Sequence, residues 1–513
     1  MRIACALFLS FHLTVLALPP TRAADRPNVL LIAIDDLKPL LGCYGAEQVV
    51  SPRIDALAAR GTVFLNAQCQ QAVCGPSRAS LLTGLRPDTT RVWDLKTQLR
   101  VNLPDVVTLP QHFKNSGYES VGIGKVFDPR SVDGRNTMDR MSWSRPYVRA
   151  SSPSHHTFGY RNPETVRLIE AGLAKAEADG IEGWREIQAA IGHKPPTDTA
   201  DVPDDSYDDG AIATTAVGLI EELAAGDKPF FLAVGFKKPH LPFCAPHRYW
   251  DLYDREAFAL ASPAQLPDGA PAFHFQDSME LRGGYTGIPA GPLPAALQRE
   301  LIHGYHACVS YIDAQVGRLI DGLAAAGVAD NTVVVLWGDH GWHLGDHGMW
   351  CKHTNYEQAT RVPLIIYAPG RTQAGGRASA PVEFVDVFPT LCELTNLPAP
   401  SELEGQSLAA ALDDPTVAIK PAAVSQYPRH WHDGELMGYA FRTGRYRFIQ
   451  WFPFDPASPN ASGDRQPVAT ELYDYETDPA ESRNLADDPG YRTTVVEMNR
   501  LAVAYWQERR HKP

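Results

Sequence analysis

Cys74 lies in the stretch QAVCGPSRASLLTG, residues 71–84, where a glycine, a proline, a serine and an arginine follow a lone cysteine. A predicted helix begins here, and a helix N-terminus beside Arg78 is an environment that lowers the pKa of a thiol. A thiolate nucleophile is therefore one hypothesis for this residue. A cysteine hydrolase also needs a general-base histidine, and since none lies nearby in the sequence, only the fold could supply one.

Charged and imidazole side chains follow the predicted strands at the points where those strands end. Ligands of open α/β sheets bind beyond the carboxyl ends of the strands, so we expect these side chains to converge on one crevice. They are Asp35 and Asp36 after VLLIAI, Lys125 after VGIG, His240 after FFLAVGF, and Asp339 and His340 after VVVLWG.

Three carboxylates in one crevice would repel one another unless a cation neutralises them. Asp35, Asp36 and Asp339 offer oxygen ligands, which suit a hard divalent ion such as Ca²⁺. His340 fits this set less well, because imidazole more often marks softer metals. An isolated Asp-Asp pair is more often a solvated turn, so the metal hypothesis depends on the second strand end.

The elements that would position these residues are short, continuous apolar runs separated by helical patterns. Continuous rather than alternating runs are typical of strands covered on both faces. In residues 52–61, Ile54, Leu57 and Ala58 form one apolar face, Ser51 is the expected cap and Gly61 ends the helix. The pattern predicts an α/β fold with helices on both sides of a sheet. The predicted strands are residues 29–34, 121–123, 230–234, 333–336 and 364–366.

The sequence pattern changes near residue 413. Residues 438–452 predict a hairpin that turns at Gly444, and residues 471–475 predict a further strand. A last helix should pack on these strands through Val495, Met498, Ala502 and Tyr505. We therefore expect a catalytic domain over residues 24–412 and a smaller antiparallel subdomain over residues 413–513, with residues 412–423 as the linker.

Composition and the N-terminus bound the class of protein. Of 513 residues, 44% are hydrophobic and 21% are charged, as in an ordinary globular protein. The formal net charge of −13 argues against a nucleic-acid-binding protein. Residues 1–23 have the pattern of a signal peptide, and an uncleaved membrane anchor is the less favoured alternative because Pro19 and Pro20 end the apolar run early. We expect an exported protein without a membrane anchor, periplasmic or secreted, or lysosomal in a eukaryote.

The stretch CGPSRASLLTG resembles the signature of the sulfatase family, in which this cysteine is converted to formylglycine by a formylglycine-generating enzyme. Several further motifs resemble the iduronate-sulfatase branch of that family, and the resemblance spans nearly the whole mature chain. It implies an alkaline-phosphatase-like α/β/α sandwich with a large mixed sheet and a C-terminal subdomain. The motifs are RPDTTRVWDL (86–95), KKPHLPF (237–243), DHGWHLGDHGMWCKHTNYEQATRVPLIIYAPG (339–370), VEFVDVFPTL (382–391) and SQYPR (425–429).

The resemblance also implies a role for each site residue. Hydrated formylglycine at position 74 would attack sulfur with one hydroxyl and expel sulfate with the other, and it would also bind the metal. Asp35, Asp36, Asp339 and His340 would complete a Ca²⁺ site, with histidine in the last place as in the iduronate-sulfatase branch. Cationic side chains would stabilise the transition state, His240 would protonate the leaving alcohol, and Trp342 would lie close to the sugar. The cationic side chains are Arg78, Lys125 and Lys352.

One residue departs from the family pattern. A histidine is expected shortly after Lys125, and Asp128 stands in its place. This carboxylate either accepts the proton of the formylglycine hydroxyl or is structural. Residues 162–208 and 268–284 show no assignable pattern, so we expect them to carry the specificity.

Three functions remain open at this point. The first is a sulfatase acting on a sulfated saccharide, with the 2-O-sulfate of a uronic acid as the expected group. The second is a phosphoester or phosphonate hydrolase of the same superfamily. The third is a non-catalytic binder of sulfated glycans, which would follow if Cys74 were not modified.

Overall fold

A computed structural model describes residues 26–432, 434–459 and 466–510. The predicted signal peptide, residues 1–23, lies outside the described residues. Among the described residues, no helix is both long enough and apolar enough to cross a membrane.

The strands of the described residues belong to one large sheet, one smaller antiparallel sheet and two short pairs. In chain order they are β1 (Asn28–Ile34), β2 (Thr62–Gln68), β3 (Glu119–Gly124), β4 (Thr197–Ala200), β5 (Phe230–Phe236), β6 (Phe243–Pro246), β7 (Thr332–Gly338), β8 (His343–Leu344), β9 (Trp350–Cys351), β10 (Arg361–Val362), β11 (Leu364–Tyr367), β12 (Gly376–Glu383), β13 (Ala423–Trp431), β14 (Gly434–Arg442), β15 (Tyr446–Pro453) and β16 (Ala469–Asp474).

The α-helices range from single turns to a buried helix of 31 residues. In chain order they are α1 (Pro52–Arg60), α2 (Cys74–Thr83), α3 (Pro87–Thr90), α4 (Leu99–Asn102), α5 (Leu109–Asn115), α6 (Pro163–Ala178), α7 (Trp184–Ala190), α8 (Asp208–Ala224), α9 (His247–Trp250), α10 (Met279–Gly284), α11 (Ala295–Ala325), α12 (Glu357–Thr360), α13 (Val387–Leu394), α14 (Ala409–Asp413) and α15 (Arg492–Arg510).

The large sheet has eight strands in the order β10-β2-β11-β7-β1-β5-β3, with β12 beside β2. Strands β3, β5, β1 and β7 are parallel, whereas β11 is antiparallel to both of its neighbours, so the sheet is mixed. All five predicted strands are present. The parallel strands bring their carboxyl ends to one edge of the sheet, which is where the site forms.

Strand β1 shows why the apolar runs are continuous. Leu30, Ile32 and Ile34 face a core with helices α1, α8 and α11. The alternate residues, among them Val29 and Leu31, face a second core with α2, α5 and α13. Both faces of the strand are buried, so both must be apolar. The result is the expected three-layer α/β/α arrangement.

Helix α1 begins as predicted, but its cap is different. Ser51 precedes the helix, yet its hydroxyl accepts from Gly42 N and makes no capping bond to the helix. The carboxylate of Asp313, on α11, accepts instead from the backbone N–H groups of Arg53 and Ile54. Ser51 thus occupies the predicted N-cap position, but a residue distant in sequence supplies the capping carboxylate.

The smaller sheet is antiparallel in the order β13-β14-β15-β16. The predicted hairpin is present, and its turn at Gly444 is closed by a bond from Thr443 N to Tyr446 O. Helix α15 packs on this sheet, with Met498, Ala502 and Trp506 buried against it. The fold of this C-terminal region is therefore as predicted.

Residues 162–208 contain two helices and a strand that the sequence analysis did not assign. Helix α6 begins at Pro163 with Asn162 as its cap, since the Asn162 side chain accepts from Glu164 N and Thr165 N. Asparagine followed by proline is a usual helix start, so this signal was readable.

Candidate active site

The carboxyl edge of the large sheet collects the side chains that the sequence analysis singled out. Strand β1 ends directly before Asp35 and Asp36, and strand β7 ends directly before Asp339 and His340. Lys125 follows β3, Cys74 begins α2, and Lys352 follows β9. His240 lies four residues beyond β5.

Ion pairs join the carboxylates and the cations of this edge. Arg78 Nη2 lies 3.1 Å from Asp35 Oδ1, and Arg78 Nε lies 2.8 Å from Asp339 Oδ2. Lys125 Nζ lies 2.5 Å from Asp35 Oδ2, and Lys352 Nζ lies 2.8 Å from Asp36 Oδ1. Arg78 is fully buried, so these carboxylates fix its guanidinium in one position.

Four potential ligand atoms surround a small space beside Cys74. One donor atom each from Asp35, Cys74, Asp339 and His340 lies within 4.8 Å of the others. His340 Nε2 also lies 3.3 Å from Asp36 Oδ1. Asp36 Oδ2 is buried without a hydrogen-bond partner, which is costly unless a further group binds it. The donor set and this orphaned oxygen fit a divalent cation.

The protonation of the two neighbouring aspartates differs. Burial disfavours ionisation of both. At Asp35, Lys125 and Arg78 nevertheless hold the pKa well below its usual value. At Asp36, burial raises the pKa well above its usual value, and the charge of Asp35 raises it further although Lys352 opposes this. Without a further cation beside it, Asp36 is therefore harder to ionise than Asp35.

The environment of Cys74 contradicts the expected thiolate. Burial and the charge of Asp35 raise the pKa of the Cys74 thiol well above its usual value, and Lys125 and Lys352 only partly offset this. The fold does bring a histidine to the thiol, because His340 Nε2 lies 3.4 Å from Sγ. Burial and the neighbouring carboxylates thus outweigh the two lysines, so an unmodified Cys74 is poorly suited to act as a thiolate nucleophile.

The two histidines of the site both turn Nε2 toward it. His340 Nδ1 donates to the carbonyl of Gly341 at 3.0 Å, and His240 Nδ1 donates to that of Leu241 at 2.6 Å. Burial lowers the pKa of His340 to about 4, and burial together with Lys352 lowers that of His240 to about 3. His240 is the more accessible of the two, with 27% of its side chain exposed, so a substrate can reach it.

Glu280 belongs to the site and was missed by the sequence analysis. It lies on α10, inside residues 268–284, for which no pattern was found. Its Oε1 is 3.1 Å from Lys352 Nζ and 3.2 Å from His240 Nε2. Burial alone would raise the pKa of Glu280, but Lys352 and His240 lower it to about 2. Only the packing of α10 against β9 brings this carboxylate to the site, so no local signal marked it.

Asp128 forms an ion pair at the edge of the site. It accepts three bonds from Arg130, from the backbone N at 3.0 Å, from Nε at 2.9 Å and from Nη2 at 2.7 Å. Lys125 Nζ lies 3.8 Å from the same carboxylate. Burial would raise the pKa of Asp128, but Arg130 and Lys125 hold it well below its usual value. Asp128 is thus an ionised partner of two cations, which supports its structural alternative.

Trp342 is 1% exposed and packs in the core. Lys352 Nζ lies 5.0 Å from the centre of its ring, within the range of a cation–π contact. This burial does not support the predicted contact between Trp342 and a sugar. The indole ring instead contacts the Lys352 ammonium group and helps to fix its position.

Two family models match the chain. The Sulfatase model matches residues 27–397, and the model of the N-sulphoglucosamine sulphohydrolase C-terminal region matches residues 345–507. The first covers more than half of the chain and contains every site residue described above.

Individual relatives agree with these models. The chain is 38% identical to human (Homo sapiens) iduronate 2-sulfatase over 526 residues, covering 90% of this chain and 92% of the human protein. A solved 2-O GAG sulfatase superposes with a TM-score of 0.68 at 24% identity, covering 95% of this chain and 93% of that one. A phosphonate monoester hydrolase from Silicibacter pomeroyi superposes with a TM-score of 0.70 at 21% identity, covering 94% and 96%. The two structures establish the alkaline-phosphatase-like fold, and the matched model together with the human relative shows that the chain belongs to the sulfatase family.

Proposed function

We propose that this sulfatase removes the 2-O-sulfate of a uronic acid from a sulfated saccharide, with formylglycine formed from Cys74 and with Ca²⁺. The observation that carries the proposal is the 38% identity to human iduronate 2-sulfatase along 90% of this chain. Asp35, Asp36, residue 74, Asp339 and His340 would hold the cation.

Three cations would bind the sulfate group. Arg78 and Lys125 pair with Asp35, and Lys352 Nζ lies 3.8 Å from Cys74 Sγ. Negative charge spreads over the sulfate oxygens as the ester bond breaks, and fixed cations stabilise it without having to reorganise. The buried carboxylates preorganise these cations.

His240 is the residue best placed to protonate the leaving alcohol. Its Nδ1 is fixed by the carbonyl of Leu241, so Nε2 faces the site from its open side. Burial and Lys352 hold the pKa of His240 at about 3, so Nε2 would gain its proton when the anionic substrate binds, and the Glu280 carboxylate, 3.2 Å away, would stabilise that protonated ring. A proton given to the alcohol oxygen at this point prevents an unstable alkoxide from leaving.

Formylglycine and Ca²⁺ would supply what these residues lack. The hydrated aldehyde offers two hydroxyl groups on one carbon, and the cation neutralises the carboxylates around it. Conversion of Cys74 requires a formylglycine-generating enzyme. Export through residues 1–23 and the domain boundary at residue 412 remain predictions.

A phosphonate or phosphoester hydrolase is the second candidate, because a phosphonate monoester hydrolase shares the fold with a TM-score of 0.70. The test is hydrolysis of a matched panel, measured as sulfate released from the saccharides and as alcohol released from the phosphonate monoester. Its members are saccharides with 2-O-sulfated iduronate, 2-O-sulfated glucuronate or 6-O-sulfated hexosamine, and a phosphonate monoester. We expect sulfate from a 2-O-sulfated uronate at the highest kcat/KM. Release from hexosamine alone would refute the uronate specificity, and a preference for the phosphonate would favour the second candidate.

A further inference from the structure

A 2-O-sulfated uronate carries a carboxylate near its sulfate, and that carboxylate needs a cation of its own. Arg78, Lys125 and Lys352 already pair with the carboxylates beside residue 74. In the proposed function they bind the sulfate group. Recognition of the second anion therefore requires another basic side chain at the mouth of the site.

Two basic side chains near the site bond mainly to backbone carbonyls. Lys238 Nζ donates to the carbonyls of His240 and Pro242 at 2.6 and 2.5 Å. Arg429 donates through its terminal nitrogens to backbone carbonyls, among them that of His274. Both side chains therefore hold loops together, and the one unpartnered donor of Arg429, Nε, is buried.

Arg130 differs from these two in its exposure and its free donor. Its side chain is 52% exposed, and Asp128 binds only Nε and Nη2. Its Nη1 has no partner among the residues that the structure describes. A guanidinium fixed along one edge and open along another is suited to bind a planar carboxylate.

The loop of Arg130 lies against the start of helix α2. A Cβ on Gly75 would lie 2.5 Å from Ser131 Oγ, so only the glycine lets the loop approach this closely. Asp128 lies 3.8 Å from Lys125 Nζ, and Lys125 contacts Asp35 in turn. The hydrogen bonds of Asp128 raise the pKa of Arg130, burial opposes this, and the charge of Asp35 adds to the rise. The Asp128 carboxylate thus lies between Arg130 and Lys125, one of the proposed sulfate-binding cations.

We propose that Arg130 binds the carboxylate of the uronic acid and so selects uronates over uncharged sugars, with Asp128 as the residue that positions its guanidinium. This inference rests on the proposed function. It assigns Asp128, which stands where the family pattern has histidine, to specificity rather than to proton transfer.

The test compares two substrates that differ only at this carboxylate. They are the methyl glycoside of 2-O-sulfated iduronate and the same glycoside with the carboxylate reduced to a hydroxymethyl group. We expect Arg130→Gln to lower kcat/KM for the uronate by about 10- to 100-fold, mainly through KM, because a charge-assisted pair is lost. The reduced glycoside should stay within about threefold of the wild-type value, since the sulfate-binding cations are unchanged.

Two control variants separate binding from folding. Arg130→Lys should recover part of the loss for the uronate, because it keeps the charge without the planar fork. Arg135→Gln removes an exposed arginine of the same loop and should leave both substrates unchanged. Equal losses on both substrates, or no loss on the uronate, would overturn the inference. A wild-type protein that releases no sulfate from the uronate would instead refute the proposed function itself.

Discussion

At the scale of single residues, the environment of Asp36 is the strongest indication of a cation-binding site. Its Oδ1 is bound by Lys352 at 2.8 Å, whereas its Oδ2 is buried without a partner. Its backbone N–H donates to Asp339 Oδ1 at 2.9 Å, and Tyr305 donates to its carbonyl at 2.7 Å. The aspartate is therefore held rigidly, and its unpartnered Oδ2 lies 4.0 Å from His240 Nε2, in a second group of potential ligands formed by Asp35, Asp36 and His240. A fixed carboxylate with a free oxygen is suited to bind a metal.

Removal of divalent metal should lower both the activity and the Tm of the wild-type protein, and Ca²⁺ should restore them. At a Ca²⁺ concentration 100 times its Kd, binding would stabilise the folded state by about 2.7 kcal/mol. Differential scanning calorimetry with and without chelator measures this shift. Asp36→Asn should lose the response to Ca²⁺, whereas Asp128→Asn should keep it. A metal-free protein with full activity and an unchanged Tm would show that the ligand assignment is wrong.

At the scale of elements, the site depends on a close approach between β5 and the end of β3. A Cβ on Gly235 would lie 2.1 Å from the carbonyl carbon of Lys125, so any side chain there must push that backbone away. Lys125 N also donates to the carbonyl of Gly235 at 2.8 Å. The position of the Lys125 amine is thus set by a glycine on the neighbouring strand.

We expect Gly235→Ala to lower kcat about 100-fold, because a displacement of about 1 Å in a catalytic group has effects of this size. The overpacked strand should also cost about 1–3 kcal/mol of stability. Steady-state kinetics and urea unfolding measure the two effects. Gly218→Ala is the matched control, since Gly218 lies on α8 with no atom within 4 Å of its added Cβ. A Gly235→Ala protein with normal kcat would contradict this account of how Lys125 is positioned.

The elements also show how far the sequence alone could lead. Runs such as residues 29–34 predicted strands correctly, because strands buried on both faces have a composition that distinguishes them. Because the strands were predicted correctly, the residues that directly follow them could also be predicted to meet at one edge of the sheet. Glu280 was not, since it reaches Lys352 only through the packing of α10 against β9. Similarly, Asp313 caps α1 from a helix more than 250 residues away. Such contacts depend on tertiary packing, and no local pattern encodes them.

At the scale of the whole molecule, a buried charge cluster joins the C-terminal sheet to the catalytic region. Glu357 on α12 contacts Arg442 Nε of β14 at 3.0 Å and also pairs with Arg447 of β15. Burial alone would raise the pKa of Glu357, but Arg442 and Arg447 hold it well below its usual value. Gln68 of β2 lies beside the same carboxylate. The cluster therefore couples the two sheets.

Glu357→Gln should destabilise the protein by about 3–5 kcal/mol, because it removes the carboxylate that pairs with Arg442 and leaves Arg447 with Glu481 alone. Chemical unfolding monitored by circular dichroism measures this loss. The folded-state pKa of Glu357 is below its ordinary value of 4.5, so its contribution is fully present above that pH and is lost as the pH falls. The stability difference between wild type and variant should therefore shrink in acid. Glu164→Gln, at an exposed pair with Arg167, should have no measurable effect. A Glu357→Gln protein as stable as the wild type would refute the coupling.

The chemical state of residue 74 in the active protein tests the central claim most directly. Trypsin should release residues 61–78 as one peptide that contains both Cys69 and residue 74. After alkylation and mass spectrometry, we expect Cys69 as an alkylated thiol and residue 74 as an aldehyde that reacts with hydrazide. Among preparations made with and without a formylglycine-generating enzyme, the apparent kcat should rise in proportion to the fraction of residue 74 that is aldehyde. Cys74→Ala should be inactive. A fully active protein whose residue 74 is only an alkylated thiol or a disulfide would contradict the account.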